Sequence, residues 1–343
     1  MYFILASLLI VLSILELIDR SLLYKKTALF IAAFCMVLFA GLRYEVGTDW
    51  DAYFINYKLF YWETEWGYKY INLFFSKILE APFNVFLLLY NAVSIFLIAK
   101  YIKHLSGYYL IAVLIFYSDL FMYYNLSGMR QAMATSFTCL ALIFGVRKKL
   151  NLFLLFTVIA ALFHVTALVF LFAYFIPRKS LRFKHILLIA VGFISVVYLS
   201  VNFVGSIEYL AQKAEYYTEI QENASDLPTL LAIGIAKRSI IIIIFLLLFK
   251  KLKNVLNMPY FFNLYLIGFI IYVCLYMISP DFGVRFSSYY TILDCILVGS
   301  IIYHVPSKRI KFSVLILFCA LSLYKVSVYA AEKTYQYKTI LEK

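Results

Sequence analysis

One short stretch of the chain gathers polar side chains of the kinds that carry out chemistry. The stretch Gly41–Tyr53 reads GLRYEVGTDWDAY and places Arg43 close in sequence to Asp49 and Asp51. A carboxylate there can accept a proton during a reaction, or it can form an internal ion pair with the arginine. Gly47 predicts a turn, because glycine tolerates positive φ and an Asp can cap the helix that follows. The alternative is that Asp49 only caps that helix and Arg43 extends to lipid headgroups.

Two further arginines lie near predicted helix ends. Arg130, in NLSGMRQ, is about one turn into a helix, where a guanidinium can hold two phosphate oxygens at once. A structural ion pair with Asp119, one helix earlier, explains this arginine equally well. Arg285, in SPDFGVRFSSYY, can bind phosphate in the same way or pair with Asp281.

His164 and Arg238 interrupt apolar runs. His164 has apolar residues on both sides, whereas the other three histidines adjoin basic loops. A lone histidine in a membrane helix often hydrogen-bonds a neighbouring helix, and a substrate contact is the equal alternative. Arg238 and its neighbour Lys237 lie within an apolar run, so we expect at least one of them to face a polar cavity.

Several motifs that would indicate other chemistry do not occur. The sequence has no Walker-type phosphate loop, no HExxH, GxSxG or DxD motif, and no His/Cys spacing typical of a metal site. Outer arginines, one histidine, a few carboxylates and many tyrosines suit a metal-free site for a pyrophosphate-linked sugar, where Arg balances the charge of the leaving group. We therefore expect neither a metal nor a cofactor.

The elements that position these residues must be membrane helices. Of the 343 residues, 65% are apolar and only 14% are charged, and apolar stretches long enough to span a membrane recur from end to end. This composition excludes a water-soluble domain and predicts an all-α, polytopic membrane protein. The net charge of +13 does not indicate nucleic-acid binding, because the basic residues form short clusters between apolar runs.

The basic clusters predict the orientation. Eighteen of the 31 Lys and Arg residues fall in six clusters, which alternate with polar loops along the chain. The positive-inside rule places these clusters in the cytoplasm and both termini outside. The predicted helices are Tyr2–Ile18, Thr27–Leu42, Phe83–Ala99, Tyr108–Tyr124, Leu126–Gly145, Asn151–Ile176, Ile186–Val204, Thr229–Phe249, Tyr260–Ile278, Tyr289–His304 and Phe312–Tyr324. We expect one domain with ten to twelve crossings, an outward-facing cavity, and outer loops at about 43–66 and 205–228.

Two predicted segments do not cross fully. Gly67–Leu79 is short and carries Lys69 and Lys77, so we expect an interfacial or partly buried helix. Asn151–Ile176 has basic clusters at both ends, which a single crossing would place on opposite sides of the membrane. Two helices of about a dozen residues, each about 18 Å long, would turn back before the far surface. We therefore predict a short helical hairpin with His164 near its tip.

The same residues resemble a known family. Arg43, Asp49, Tyr53 and their neighbours resemble a signature of the EpsG family of Wzy-type polysaccharide polymerases. The other resembling segments follow in order: Glu65-Trp66-Gly67-Tyr68, Met129-Arg130-Gln131 with Ala134, Phe163-His164 with Ala167, and Arg285 with Tyr289. Ala52 stands where family members often have Asn, and we expect Asp51 beside it to make that contact.

The resemblance implies a polymerase of surface polysaccharide. Its substrates would be oligosaccharide repeat units on undecaprenyl pyrophosphate, at the periplasmic face of a bacterial inner membrane. Arg130 and Arg285, with Arg238 in reserve, would hold the pyrophosphate, and Asp49 or His164 would deprotonate the attacking hydroxyl. Arg43 and Glu65 would order the loop or hold sugar hydroxyls, with Asp51 and Tyr53 as further substrate contacts.

Other functions remain open at this point. A ligase would use the same carrier, and a lipid-linked oligosaccharide flippase would be a transporter, although the intramembrane charges lie toward the outer side rather than along a whole path. A structural or assembly role without activity is the third alternative. The expected partners are the lipid-linked oligosaccharide, membrane lipid and a protein that regulates chain length, with no nucleic acid.

Overall fold

The structure is a computed structural model that describes residues 1–19, 21–60, 63–180, 227–276 and 279–342. Helices dominate these residues, and no strand occurs among them; an isolated bridge joins Arg43 and Thr339. The predicted all-α, polytopic fold is confirmed. The chain forms two compact units, one of Met1–Tyr174 with Asp294–Lys343 and the other of Phe175–Leu293. That all 343 residues act as one domain stays a prediction.

The first unit holds most of the helices. In chain order they are α1 (Tyr2–Ile18), α2 (Leu22–Gly41), α3 (Trp50–Leu59), α4 (Trp66–Leu73, extended by a π-helix at Phe74–Ile78), α5 (Phe83–Leu105), α6 (Tyr109–Phe116, extended by a π-helix at Tyr117–Asn125), α7 (Met129–Val146), α8 (Leu150–Ala161) and a 3₁₀-helix at Val165–Phe175. The second unit holds α9 (Leu227–Leu247), α10 (Phe249–Leu252), α11 (Met258–Tyr276) and α12 (Pro280–Thr291). The chain then continues through α13 (Leu293–His304), α14 (Lys308–Ala331) and 3₁₀-turns at Lys333–Tyr335 and Ile340–Glu342.

Six helices of the described residues are long and apolar enough to cross a membrane, namely α2, α5, α7, α9, α11 and α14. The pair α12 and α13 counts as a seventh when it is taken as one broken span. Four more helices are apolar but shorter. One of them is α1, whose 17 residues fall just below the roughly 20 residues that a membrane-spanning helix needs. The predicted crossing Ile186–Val204 and nearly all of the predicted loop 205–228 lie outside the described residues.

Two of the predicted basic clusters lie at the end of the first unit opposite the loop that follows α2. At one end, Lys25 donates from Nζ to the carbonyl oxygen of Gly107 at 2.9 Å, and Lys311 donates to the carbonyl oxygen of Tyr303 at 3.3 Å. The basic clusters that follow α1 and precede α14 therefore meet at this end, as the predicted alternation requires. The loop after α2 and the start of α7 lie at the other end, since Thr48 N donates to Ser127 Oγ at 3.0 Å.

The predicted helical hairpin is confirmed. Helix α8 has 12 residues and the 3₁₀-helix has 11, so they rise about 18 and 22 Å, less than the roughly 30 Å of a bilayer's apolar core. The second arm returns to the start of the first, because the Tyr174 hydroxyl donates to the carbonyl oxygen of Lys148 at 3.3 Å. The Tyr174 and Phe153 rings also lie 5.2 Å apart. His164 lies at the turn between the arms, as expected.

Candidate functional site

Arg43 lies just beyond the end of α2 and is only 1% exposed. Its Nε donates to the carbonyl oxygen of Val46 at 3.2 Å, and its Nη1 donates to the carbonyl oxygen of Ala40. Two of the predicted alternatives are therefore wrong: Arg43 forms no ion pair with Asp49 or Asp51 among the described residues, and it does not extend to headgroups. It ties the loop to the end of α2, because Val46 belongs to the loop and Ala40 belongs to the helix. Burial lowers the pKa of Arg43 to about 10, which leaves the guanidinium charged at neutral pH.

The loop that contains Arg43 is covered by residues 332–341, which follow α14. Arg43 and Thr339 form the isolated antiparallel bridge, and Tyr44 N donates to the carbonyl oxygen of Lys338 at 2.9 Å. These bonds satisfy backbone groups of a loop that has no regular secondary structure of its own. No motif or periodicity in the sequence predicts this contact.

Gly47 makes the turn that the sequence predicted. Its φ is +101°, and its backbone N–H donates to the carbonyl oxygen of Thr334 at 2.8 Å. A Cβ atom at this position would lie 1.9 Å from the carbonyl oxygen of Leu126, so the turn packs directly against the segment before α7. Glycine is required here both for its backbone conformation and for the close approach.

The two aspartates of the loop flank the start of α3. Asp49 occupies the N-cap position, but its carboxylate makes no capping bond and instead accepts a hydrogen bond from Thr48 Oγ1 at 3.0 Å. Asp51 is exposed in the first turn. Neither forms an ion pair within the described residues, so both carboxylates stay candidates for the roles predicted for them. The predicted loop 43–66 thus contains a ten-residue helix.

Arg130 forms the centre of a polar cluster. Its Nη1 lies 2.5 Å from Glu65 Oε2, and its backbone N–H donates to the Tyr53 hydroxyl at 3.5 Å. The side chains of Arg130 and Glu65 are 26% and 21% exposed, so the pair is partly buried and still open to a ligand. The Arg130 Nε atom is buried and has no hydrogen-bond partner among the described residues. Three residues predicted from separate parts of the sequence therefore meet in space.

The predicted ion pair between Arg130 and Asp119 is wrong. Asp119 pairs with Lys325 instead, with 2.8 Å between the Lys Nζ and an Asp carboxylate oxygen. Asp119 lies in the π-helix Tyr117–Asn125, whose wider turn changes the direction in which each side chain leaves the helix. The partner of Arg130 is Glu65, which the sequence had assigned to the loop or to sugar hydroxyls.

Burial keeps the hydroxyl of Tyr53, the tyrosine of this cluster, neutral. Burial raises the pKa of Tyr53 above its ordinary value, and the nearby Arg130 only partly offsets this effect. Tyr53 is 4% exposed, and its ring lies 5.5 Å from that of Tyr68. The Tyr53 hydroxyl is therefore suited to hydrogen bonding rather than to accepting a proton from a substrate.

The tip of the hairpin contacts the segment that carries Glu65. The backbone N–H of Gly67 donates to the carbonyl oxygen of Leu162 at 2.7 Å, and a Cβ on Gly67 would lie 2.7 Å from that oxygen. His164, two residues further on, is partly buried, and its Nδ1 lies 2.6 Å from Thr166 Oγ1. The hairpin thus brings His164 to the segment beside the Arg130 cluster.

Arg238 and Arg285 belong to the second unit. Arg285 forms an ion pair with Asp281 at 3.1 Å, which is the structural alternative predicted from the sequence. Arg238 donates from Nη1 to the carbonyl oxygen of Gly234 at 3.1 Å, and its guanidinium lies 3.6 Å from the centre of the Tyr272 ring. Their roles in a pyrophosphate site stay predictions.

A cavity of about 650 Å³ lies beside α3, and neither Arg130, Glu65 nor Tyr53 is among its described lining residues. Trp50, Phe54 and Tyr57 of α3 line it, and Tyr53, which contacts Arg130, neighbours them on the same face of the helix. Its described lining includes three basic side chains, Arg43, Lys58 and Lys77, together with the start of α5 and Ile340. The cavity lies at the end of the first unit opposite the basic clusters of the loops.

Sequence reasoning missed the lysines of this cavity and the tyrosines of residues 332–341. The Tyr335 hydroxyl lies 2.8 Å from Ser127 Oγ, and the Tyr337 ring stacks on Phe39 with 4.4 Å between centres. The alternation of Tyr335 and Tyr337 is a weak sign of an extended segment with one buried face. No comparable signal marks Lys58 or Lys77.

Within the described residues, no group of three or more His, Cys, Asp or Glu residues is placed to hold a metal ion.

The fold and the polar cluster define a polytopic helical membrane protein with a charged, partly buried site at one end of its helices. The EpsG family model matches residues 26–339, and the chain belongs to this family. The EpsG family comprises Wzy-like polymerases, so at family level the protein is a membrane polymerase of the glycosyltransferase type. Neither the curated proteins nor the solved structures that were searched gave a match.

Proposed function

We propose that the protein joins oligosaccharide repeat units carried on undecaprenyl pyrophosphate, at the periplasmic face of a bacterial inner membrane. The product would be an O-antigen or a related surface polysaccharide. Membership of the EpsG family supports polymerisation. The position of the Arg130 cluster, at the end opposite the basic loops, supports a site open to the outer side.

The observation that carries the proposal is the set of hydrogen-bond contacts and the exposure of the Arg130 side chain. Glu65 fixes one of its nitrogens, while its Nε has no partner among the described residues and the side chain remains a quarter exposed. A guanidinium held in this way can present planar donors to a pyrophosphate without first losing much conformational freedom. The pair with Glu65 also offsets part of the cost of burying the charge.

In the proposed reaction, a hydroxyl oxygen of the acceptor attacks the anomeric carbon of the donor's reducing-end sugar. The bond from that carbon to the pyrophosphate oxygen breaks, and the leaving pyrophosphate takes the electron pair. Arg130 stabilises the charge that develops on the pyrophosphate. The hydroxyl proton passes to a carboxylate. Asp49 is the candidate, because it lies at the start of α3 and forms no ion pair within the described residues. His164 at the hairpin tip is the alternative base.

The test is deletion of the gene in its host, followed by a gel of the surface glycan. One repeat unit on the core supports a polymerase, whereas loss of all repeats indicates a flippase or a ligase. Complementation with Arg130→Gln should leave the single-repeat pattern, and complementation with the parent should restore the ladder. Cysteine labelling tests the orientation: Thr64→Cys should react from the periplasm and Ser307→Cys should not.

A further inference from the structure

The cavity beside α3 has a strongly basic lining. Arg43, Lys58 and Lys77 contribute three positive charges, and none of the described residues that line it is acidic. Lys58 and Lys77 are exposed and form no ion pair among the described residues; their ammonium groups lie 4.2 and 5.4 Å from the ring centres of Phe54 and Phe60. Three like charges around one cavity repel each other, and an anion would relieve that repulsion.

Buried polar atoms of the lining residues also lack partners. Arg43 Nη2, Trp50 Nε1 and Ser76 Oγ are all buried, and none has a hydrogen-bond partner within the described part of the chain. Arg43 is 1% exposed and Trp50 is 6% exposed. Buried donors without partners are costly, so this arrangement is favourable when a ligand with several acceptor oxygens occupies the cavity.

The surroundings of the cavity favour a lipid over a free anion. Next to Lys58 stands Leu59, which is 71% exposed, and next to Lys77 stands Ile78, also 71% exposed. Exposed apolar side chains next to the lining lysines suit the hydrocarbon chain of a lipid, while the basic lining suits its phosphate groups.

We propose that this cavity holds the pyrophosphate headgroup of a second lipid-linked substrate, the acceptor. This inference rests on the proposed function, because a polymerase that joins two lipid-linked oligosaccharides must hold two headgroups at once. The donor headgroup lies at Arg130, which Tyr53 of α3 contacts, and the acceptor headgroup lies in the cavity that Trp50 and Tyr57 of the same helix line. Side chains of α3 then contact both headgroups, while Asp49 at the N-cap of this helix serves the acceptor hydroxyl.

The experiment measures lipid binding to the purified full chain in nanodiscs, with undecaprenyl pyrophosphate as the probe and native mass spectrometry to count bound molecules. The parent should bind two. The double variant Lys58→Gln/Lys77→Gln should bind one at parental affinity and the other about a hundredfold more weakly, with each ammonium group that is removed reducing affinity about tenfold. The double variant Lys58→Arg/Lys77→Arg should still bind both lipid molecules. Lys69→Gln is the matched control, because Lys69 is a nearby lysine that pairs with Glu63 at 2.9 Å and does not line the cavity.

Two results would overturn the inference. One is a Lys58→Gln/Lys77→Gln protein, folded as judged by its melting temperature, that still binds two lipids with parental affinities. The other is inorganic pyrophosphate competing as strongly as the lipid, which would make the cavity a site for a free anion. Failure of the proposed function looks different: Arg130→Gln would leave both lipids bound and the glycan ladder intact, while the lysine variant would still bind only one lipid tightly.

Discussion

The substitution Arg130→Lys separates the two roles that the structure gives to Arg130. A lysine at this position can keep the ion pair with Glu65, so we expect the fold to survive. It cannot make the planar, two-point contact with a pyrophosphate that the guanidinium makes. Binding of the leaving group should therefore weaken while the protein inserts at normal levels.

The magnitude follows from the exposure of the pair. An exposed ion pair contributes about 0–1 kcal/mol, whereas removal of one partner of a fully buried pair costs about 3–5 kcal/mol. With side chains 26% and 21% exposed, Arg130 and Glu65 lie between these limits, and Glu65→Gln should reduce stability by about 2 kcal/mol. Removal of the two-point interaction with the transition state in Arg130→Lys should cost about 3 kcal/mol, or on the order of a hundredfold in rate.

The assay is polymerisation of a lipid-linked repeat unit in proteoliposomes, read as a ladder on a gel and normalised to inserted protein. The exposed Arg147, at the far end of α7, supplies the control Arg147→Lys, which should polymerise at the parental rate. A cycle of Arg130→Gln, Glu65→Gln and the double variant should show a rate effect that is far from additive, because the two side chains act as one unit. If Arg130→Lys polymerises within about threefold of the parent, Arg130 supplies only general positive charge and the proposed contact is wrong.

Three further outcomes are expected. Gly67→Ala should destabilise the protein by about 1–3 kcal/mol and reduce activity, since its Cβ would lie 2.7 Å from the carbonyl oxygen of Leu162; Gly145→Ala, which meets only a side chain at 3.1 Å, should melt close to the parent. Lys149→Cys and Lys179→Cys should both label only from the cytoplasm, and labelling from opposite sides would rule out the hairpin in the membrane. Polymerisation in proteoliposomes should continue in excess chelator, and an EDTA-sensitive rate that Mg²⁺ restores would contradict the metal-free mechanism.

Periodicity and charge were enough to predict the helical hairpin and the placement of Arg130. Asn151–Ile176 carries basic clusters at both ends, and a chain that returns to the same surface is the simplest solution to that pattern. Arg130 was predicted about one turn into a helix, and it lies in the first turn of α7. These features depend on local sequence, which is why they could be read from it.

Contacts between distant segments could not be predicted in the same way. Arg130 pairs with Glu65 and Asp119 pairs with Lys325, partners far away in the chain, and nothing in the sequence YSDLFMYYN marks the π-helix that carries Asp119. The burial of Arg43 depends on the segment around Thr339, and its partners are backbone carbonyls that any sequence provides. The cavity arises where α3 packs against the start of α5, with the Trp50 and Phe83 rings 5.7 Å apart, so nothing near Lys58 or Lys77 in the sequence predicts that they line it.

The pairing of Arg43 with Thr339 also has a consequence for biosynthesis. Nearly three hundred residues separate the two partners, and chains are made at about 5–20 residues per second. The loop that carries Asp49 would wait roughly 15 to 60 s for the segment that completes it, long after α2 has entered the membrane. During that interval the nascent protein would already present Arg130 but not the finished Gly47 turn, so competence to act on substrate would arise only once residues 332–341 had been made and had docked.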